Sequence, residues 1–314
     1  MPVRPGGGNM SALTVSKEEE KRLKGQGFLN NRGTDEFSAR VITVNGKVTA
    51  AQHRCMAEAA EKFGNGNLTY TTRLSVEIQG IPYEKIEEFQ EFIAKEGLET
   101  GGTGAKVRPV VSCKGTTCQY GLLDSYAISE EIFRRFYKGY RQVALPHKFK
   151  IAVGGCPNNC VKPNLNDVGI IGQRIFDSEA CKGCKKCAIE AACPNKVAKV
   201  VDGKLHIDEE LCRHCGRCVG KCPFHSIPDG TYGFKIYIGG RWGKKISHGK
   251  ALNRIFTSEE EALDVIEKAI LLFKDQGLKG ERFAETIERI GFENAEKQLL
   301  EKNLLERKME ILSK

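Results

Sequence analysis

The sequence contains no apolar run that approaches the roughly 18 to 20 residues a membrane-spanning helix needs. Its start, Met-Pro-Val-Arg-Pro-Gly-Gly-Gly, lacks the apolar core of a secretory signal. A basic run interleaved with aromatic residues is missing, as is any recognisable nucleic-acid-reading motif. No Gly-x-Gly-x-x-Gly loop for a nucleotide is present. These absences argue against membrane, secreted and nucleic-acid-binding proteins. We expect a cytoplasmic protein, with any flavin or nicotinamide unit on a separate partner.

Cysteine, by contrast, is abundant, with thirteen among 314 residues. Disulfides are rare in a reducing compartment, so this number of thiols indicates metal binding. The formal net charge of +9 fits either a solvated lysine-rich surface or a pocket that holds an anionic ligand. With 40% hydrophobic and 28% charged residues, the chain has the composition of a globular protein, and it is long enough for two or three domains.

Apolar periodicity divides the chain into segments. A polar N-terminal arm with a short helix at Lys17 to Lys24 precedes a β-α-β-α pattern that ends at a glycine-rich linker near Gly104. A second alternation of strands and helices is interrupted by a cysteine-rich block and then resumes, which indicates an insertion into one domain. The predicted boundaries are 1–35 for the arm, 36–104 for the small domain, 105–175 and 233–290 for the two halves of the second domain, 176–232 for the insertion and 291–314 for a C-terminal helix.

Two predicted helices carry a capping signal at their start. Thr49 with Gln52, and Ser258 with Glu261, have the spacing of a capping box. Cys55 lies on the apolar face of the first of these helices, so we assign its thiol to core packing rather than to a metal. The further predicted elements are strands at 37–44, 68–81, 107–112, 149–153, 167–172 and 234–238 and helices at 83–95, 128–140 and 258–274.

Eight of the thirteen cysteines lie in the insertion, in two triplets with two-residue spacing, each followed by a Cys-Pro. Such spacing lets one tight loop place three thiolates around a [4Fe–4S] cubane, and in two-cluster ferredoxins the remote cysteine ligates the other cluster. Two structural zinc sites are the alternative. Five residues separate Cys187 from Cys193, a longer loop that a remote fourth ligand tolerates. The predicted ligands are Cys181, Cys184, Cys187 and Cys222 for cluster one, and Cys212, Cys215, Cys218 and Cys193 for cluster two.

Four more cysteines form two short-spaced pairs outside the insertion, Cys113 with Cys118 and Cys156 with Cys160. In a chain already rich in iron–sulfur ligands, they indicate a third cubane. Their spacing alone leaves a zinc site open as the alternative.

Two lysines near these cysteines are candidates for an anion site. Lys148 and Lys150 alternate about Phe149 in a predicted strand, so both side chains are expected on one face. Two like charges on one face repel each other unless an anion lies between them. The alternative for each lysine is a solvated surface charge.

These motifs resemble those of the sirohaem-dependent sulfite and nitrite reductases. Cys113-Lys-Gly-Thr-Thr-Cys118 and Gly155-Cys-Pro-Asn-Asn-Cys160 are similar to the paired cysteine signature of that family. Thr71-Thr-Arg73 resembles its Thr-x-Arg motif, and Leu145-Pro-His-Lys-Phe-Lys150 resembles its Pro-x-Lys-Phe-Lys motif. The resemblance covers roughly residues 36 to 290, and a ferredoxin inserted after the second cysteine pair is similar to the catalytic C subunit of anaerobic sulfite reductases. Further similar positions are Arg108, five residues before the first cysteine, Asp167-Val-Gly-Ile-Ile-Gly and Gly239-Gly-Arg241.

The resemblance implies an α+β fold with a ferredoxin-like half domain, a sirohaem and [4Fe–4S] α/β domain, and an inserted bacterial-type two-cluster ferredoxin. It implies sirohaem and three [4Fe–4S] clusters as cofactors. Cys160 would bridge the third cluster to the sirohaem iron as its axial ligand, and Arg241 would contact the cofactor. The family usually has five residues between its first two cysteines and this chain has four, a difference that bears on the substrate more than on the cofactor. The implied ligands of the third cluster are Cys113, Cys118, Cys156 and Cys160, and the implied anion-binding residues are Arg73, Arg108, Lys148 and Lys150.

The activity that the resemblance implies is the six-electron reduction of sulfite to sulfide, with electrons relayed through the inserted ferredoxin. The first alternative is nitrite reduction to ammonia with the same cofactors, and the second is an electron-carrying polyferredoxin without a substrate site. The cationic residues argue against the carrier. Larger reductases of the family carry two such modules and this chain carries one, so we expect a homodimer or homo-oligomer. A separate electron-donor protein or subunit is expected, and neither nucleic acid nor membrane is expected as a partner.

Overall fold

The computed structural model describes residues 15–229 and 232–314, and the chain divides into two compact units at Pro109. The first unit is built on an antiparallel sheet with the strand order β1-β2-β4-β3. Apolar side chains of its helices and of the sheet form one buried core. In the described residues its elements are α1 (Lys17–Gln26), β1 (Phe28–Asn30), β2 (Glu36–Val41), α2 (Ala50–Phe63), β3 (Leu68–Tyr70), β4 (Val76–Pro82) and α3 (Ile86–Ala94).

Helix α2 begins and packs as its sequence predicts. The Thr49 hydroxyl accepts a hydrogen bond from the Gln52 amide, and the Gln52 side chain accepts one from the Thr49 amide, which completes the capping box. Cys55 is 7% exposed within the core, so its assignment to packing is confirmed. The rings of Phe63 and Phe89 pack edge to face in the same core, with their centroids 6.0 Å apart.

Two parts of the first unit differ from the prediction. The sheet begins inside the segment predicted as an arm, because Phe28 is fully buried and its strand β1 pairs with β2. The predicted strand 68–81 is two strands, β3 and β4. A turn separates them, in which the Thr71 amide donates to the Ser75 carbonyl at 2.9 Å. This turn carries Arg73.

The second unit contains a mixed sheet with the strand order β11-β10-β7-β6-β5. Strands β5, β6 and β7 are parallel to one another, whereas β10 and β11 run antiparallel to their neighbours. Strand β7 is buried at every residue, as expected of a central strand covered on both faces. In the described residues the elements are β5 (Val111–Ser112), α4 (Ser125–Ile132), a π-helix (Phe133–Lys138), β6 (Ile151–Gly154), β7 (Val168–Arg174), α5 (Ala188–Ala192), β8 (Ala198–Val201), β9 (Lys204–Ile207), β10 (Tyr232–Ile238), β11 (Lys250–Phe256), α6 (Glu259–Gln276), α7 (Phe283–Ile290), α8 (Phe292–Leu300), α9 (Asn303–Glu306) and α10 (Lys308–Ser313).

The cysteine-rich segment lies between β7 and β10, which are neighbours in the sheet. Tyr232 at the start of β10 pairs with Arg174 at the end of β7, so the chain leaves the sheet and re-enters it at the same end. Between these points the chain forms its own antiparallel hairpin from β8 and β9. The small core of this segment consists of Cys181, Ile189, Ala198, Leu205 and Ile227.

Several predicted elements of the second unit have different bounds. The predicted strand 107–112 is reduced to β5, because Pro109 has no amide to donate to a neighbouring strand. The predicted helix 128–140 begins earlier, since the Asp124 carboxylate accepts from the Ala127 amide as its N-cap, and it ends in the π-helix. Ser258 caps α6 by accepting from the Glu261 amide.

Two features of the second unit were not predicted from sequence. The first is strand β11. Only Leu252 and Phe256 of its residues are buried, so this edge strand lacks the alternation of buried and exposed residues that marks a half-buried strand. The segment 291–314, predicted as one C-terminal helix, consists of the separate helices α8, α9 and α10.

Candidate metal centre

The four cysteines outside the insertion lie at one edge of the sheet of the second unit. Cys113 directly follows β5, and Cys156 follows β6 after one glycine. The two strands are parallel, with Ser112 opposite Val153, so their carboxyl ends meet at the same edge. A 3₁₀ turn after Cys113 leads to Cys118. The sheet therefore brings together two pairs that are far apart in the sequence.

The thiols of these pairs are close enough to interact electrostatically. Burial raises the pKa of the Cys156 thiol, and the thiols of Cys113, Cys160 and Cys118 raise it further. The Gly155 amide donates a hydrogen bond to the Cys113 sulfur at 3.1 Å. Such a bond stabilises a metal-bound thiolate. Cys156 is buried, Cys113 and Cys118 are half-buried and Cys160 is exposed, so Cys160 is the most exposed residue of the set.

Two glycines allow the two cysteine loops to approach each other. A Cβ on Gly155 would lie 2.7 Å from the Cα of Gly115, and a Cβ on Gly115 would lie 2.8 Å from the Cα of Gly155. The loops thus pack backbone against backbone, which no larger residue permits.

The spacing of the sulfurs bears on which metal group they fit. Among residues 15–229 and 232–314, no three cysteine sulfurs lie within 4.8 Å of one another. A tetrahedral zinc ion, with Zn–S bonds of about 2.3 Å, holds its sulfurs within roughly 4 Å of each other. The cysteines of the described residues are therefore not arranged as a preformed tetrahedral zinc site.

In the insertion, the four predicted ligands of cluster two line a single cavity: Cys193, Cys212, Cys215 and Cys218. Burial raises the pKa of Cys218, and the neighbouring Cys212 and Cys215 thiols raise it further, against the opposing charge of Arg174. Burial also raises the pKa of Cys193, but hydrogen bonds from nearby backbone amides outweigh it and leave that pKa lowered.

The predicted ligands of cluster one pack around the core of the insertion. Cys181 is 8% exposed, and the Leu205 amide donates to its sulfur at 3.4 Å. Cys187 and Cys222 pack against the same core, and Cys184 is half-buried. Burial raises the pKa of Cys222, but hydrogen bonds from Ser226 and nearby amides outweigh it, so this pKa is lowered.

The predicted anion-binding residues belong to both units. In the first unit, the Arg73 guanidinium donates to the Pro109 carbonyl at 2.7 and 3.1 Å, and Arg108 donates to the Gly104 carbonyl at 2.8 Å. In the second unit, Lys148 and Lys150 are half-buried on either side of the fully buried Phe149. Strand β6 begins only after them, at Ile151.

Arg241 has a partner within the second unit. Its guanidinium pairs with the Glu285 carboxylate at 2.6 Å, and its backbone bonds to Ser247 in both directions. The predicted contact of Arg241 with the cofactor stays a prediction.

Sequence reasoning missed two charged contacts around the site. The Arg174 guanidinium donates to the Cys212 sulfur at 3.4 Å. Asp167 pairs with Arg282 in the protein interior. Arg174 ends an apolar strand and Arg282 precedes an ordinary helix, so no local pattern marks either residue.

Two family models match the chain. The nitrite and sulphite reductase 4Fe-4S domain matches residues 103–308, and the nitrite/sulfite reductase ferredoxin-like half domain matches residues 30–96. The first match spans well over half of the chain. The chain therefore belongs to the nitrite and sulfite reductase family and is an oxidoreductase of that class, as predicted, with a [4Fe–4S] and sirohaem type of site.

Relatives and a solved structure agree with this family. The coenzyme F420-dependent sulfite reductase of Methanocaldococcus jannaschii is 29% identical over 75% of this chain and 37% of its own length. The C subunit of the anaerobic sulfite reductase of Salmonella typhimurium is 29% identical over 68% of this chain and 66% of its own length. The chain thus spans about a third of the first relative and about two thirds of the second. The crystal structure of dissimilatory sulfite reductase I shares the fold, with a TM-score of 0.66 at 21% identity over 84% of this chain and 69% of that chain.

Proposed function

We propose that this chain reduces sulfite to sulfide at a sirohaem coupled to the cluster of Cys113, Cys118, Cys156 and Cys160. The observation that carries the proposal is the meeting of the two cysteine pairs at one sheet edge, beside a second set of cysteines around a neighbouring cavity. Hydrogen sulfite takes up six electrons and six protons and gives hydrosulfide and three waters. Protein side chains do not supply these electrons; the sirohaem, when bound, supplies the redox-active iron that the substrate binds.

The thiols have distinct roles in this proposal. Cys113 and Cys156, held by the Gly155 amide and by burial, anchor the cluster. Cys160 would hold the sirohaem as well as the cluster. Its exposure supports this role, because a bridging sulfur must reach a group outside the cluster.

The cationic residues bind the anion. Lys148 and Lys150 are fixed by the buried Phe149 between them, and the Lys150 amide donates to the Asp167 carboxylate at 2.8 Å. They hold the substrate and stabilise the negative charge that builds up as electrons enter, a role that the family resemblance assigns to Arg73 and Arg108 as well. The lysine ammonium groups can also donate protons to the bound substrate.

In this proposal electrons reach the sirohaem-coupled cluster through the insertion. Of the two clusters of the insertion, cluster two lies next to the outer cysteines. One cavity is lined both by Tyr120 and Asn158, from the loops of the outer cysteines, and by Cys215 of cluster two. A Cβ on Gly216 would lie 2.6 Å from a methyl group of Leu122, so the two loops touch. The Arg217 guanidinium lies 6.0 Å from the centre of the Tyr120 ring. Cluster one, held by Cys181, Cys184, Cys187 and Cys222, would then be the entry point for electrons from an outside donor.

The partners proposed are sulfite and a separate electron-donor protein or subunit. A homodimer, expected because the chain carries one module where larger reductases carry two, is part of the proposal.

Spectra and kinetics of anaerobically purified protein, reconstituted with sirohaem and iron–sulfur clusters, test the proposal. We expect sirohaem absorption bands and a kcat/KM for sulfite above that for nitrite. A higher kcat/KM for nitrite would favour nitrite reduction. If the protein binds the clusters of the insertion but not sirohaem, it would instead be an electron-carrying polyferredoxin without a substrate site.

Excision of the insertion tests the relay. The ends of β7 and β10 are paired at Arg174 and Tyr232, so a short linker can replace residues 178–230 without opening the sheet. We expect turnover with a reduced low-potential ferredoxin to be abolished and some turnover with reduced methyl viologen to remain. Equal loss with both donors would mean that the insertion is only structural.

A further inference from the structure

We propose that Arg174 raises the reduction potential of cluster two by holding a fixed positive charge against the sulfur of Cys212. The inference rests on the proposed function in one respect, that Cys193, Cys212, Cys215 and Cys218 hold a [4Fe–4S] cluster. It adds a residue that is not a ligand and that belongs to the central sheet rather than to the insertion.

The contact is built from the sheet outward. Arg174 is the last residue of β7, and its side chain is only 3% exposed. Its Nη2 atom lies 3.4 Å from the Cys212 sulfur, and Arg174 lines the same cavity as the four ligands. The same atom lies 2.8 and 3.0 Å from the two carboxylate oxygens of Glu209. The guanidinium thus touches a predicted ligand on one side and a carboxylate on the other.

The two neighbours of Arg174 differ in exposure. The Glu209 side chain is 53% exposed, so water screens its charge, whereas the guanidinium is buried against the sulfur. An arginine keeps its proton at any working pH, so the positive charge is permanent. The Glu209 carboxylate also lies within 4.8 Å of the Cys212 sulfur, but water screens it, so the buried guanidinium contributes the larger share of this pair's field at that sulfur.

This field acts on a one-electron step. Cluster two accepts one electron from cluster one, which adds one negative charge to the cluster and its four thiolates, and then loses that electron to the cluster coupled to the sirohaem. A hydrogen bond and a positive charge at a ligating sulfur stabilise the more negative, reduced form. Arg174 therefore keeps cluster two reducible by its donor.

The test is a redox titration of the whole holoprotein, with the reduced clusters followed by low-temperature electron paramagnetic resonance. A Cys215→Ser variant, which changes a ligand of cluster two only, assigns the signal. In Arg174→Gln we expect the ratio of reduced to oxidised cluster two, at a fixed potential, to fall tenfold or more. A tenfold change corresponds to about 59 mV for one electron.

Two further variants make the test specific. Glu209→Gln leaves the charge of Arg174 uncompensated, so the ratio should change in the opposite direction. Arg213→Gln removes an exposed arginine from the same cavity and should change the ratio less than threefold, because water screens that charge. Equal shifts in Arg174→Gln and Arg213→Gln, or no shift in Arg174→Gln, overturn the inference.

The outcome also separates this inference from the proposed function. If Arg174→Gln fails to assemble cluster two, the Glu209→Gln variant tests the inference instead. An unchanged or lowered reduction potential of cluster two in Glu209→Gln would overturn the inference. If the wild-type protein shows no cluster signal from the insertion, the ferredoxin assignment itself is wrong. Normal clusters with unshifted potentials refute the role of Arg174 alone.

Discussion

Arg282 and Asp167 form an ion pair in the protein interior, with the Arg282 Nη2 atom 3.0 Å from each oxygen of the Asp167 carboxylate. Asp167 is fully buried and Arg282 is 5% exposed. Asp167 directly precedes β7, and Arg282 directly precedes α7, so the pair joins the sheet to a helix. The same carboxylate accepts a hydrogen bond from the Lys150 amide. The pair therefore also holds the proposed anion-binding segment around Lys150 in place.

Removing the arginine of this pair should destabilise the protein strongly. Arg282→Leu leaves the Asp167 carboxylate buried without its counter-charge, which costs about 3 to 5 kcal/mol in the free energy of unfolding. The matched control is Arg254→Leu. It breaks an exposed pair with Glu261, in which both side chains are 49% exposed, and should cost about 0 to 1 kcal/mol. Urea unfolding of both holoproteins measures the difference, and similar costs would contradict the prediction.

The proposed anion site predicts a loss of turnover without a loss of cofactor. Lys150→Met and Lys148→Met should each leave the sirohaem spectrum nearly unchanged and lower kcat/KM for sulfite tenfold or more, or about 1.4 kcal/mol of transition-state stabilisation. Lys279→Met, at an exposed position, is the control and should leave kcat/KM unchanged. Wild-type kinetics in Lys150→Met would assign that lysine to the surface.

The features that could be predicted from sequence depend on neighbouring residues or on motif spacing. The capping box of Thr49 and the packing of Cys55 depend on residues within one helix, and both were right. Cysteine spacing singled out Cys193, Cys212, Cys215 and Cys218, which the fold places around one cavity, and their role as cluster ligands stays a prediction. Domain boundaries and anion-site roles stay predictions.

The rest depends on contacts between distant parts of the chain. Asp167 meets Arg282 across 115 residues, and Arg174 meets Cys212 across 38. Neither contact leaves a periodic or spacing signal in the sequence. The edge strand β11 was missed for a related reason, since its exposed residues are not constrained to be apolar.

The close approach of the two outer cysteine loops predicts a sensitive glycine. Gly155→Ala would place its Cβ 2.7 Å from the Gly115 Cα, so the loops must separate and the four thiols must move apart. We expect the content of the coupled cluster and of sirohaem to fall by at least half. Gly25→Ala in α1 is the control, because nothing lies within 4 Å of its Cβ and alanine favours a helix by about 0.5 to 1 kcal/mol. Full cofactor content in Gly155→Ala would show that the loops tolerate separation.

The contact between the insertion and the loop after Cys118 predicts a specific defect in electron transfer. Gly216 has a φ of +74°, and its Cβ would lie 2.6 Å from a Leu122 methyl group, so Gly216→Ala both strains the backbone and pushes the loops apart. Because electron transfer slows as the distance grows, turnover with a reduced low-potential ferredoxin should fall tenfold or more. Turnover with reduced methyl viologen, which is small enough to reach the coupled cluster directly, should change much less.

The control for that variant separates strain from contact. Gly203, in the turn between β8 and β9, has a nearly identical φ of +73° and nothing within 4 Å of its Cβ. Gly203→Ala therefore carries the same backbone strain in the same insertion without moving cluster two away from Leu122. We expect its turnover to stay near wild type with both donors, and iron content should be equal in the two variants. If Gly203→Ala loses as much ferredoxin-driven turnover as Gly216→Ala, the defect comes from strain within the insertion, and the contact with Leu122 is not part of the electron path.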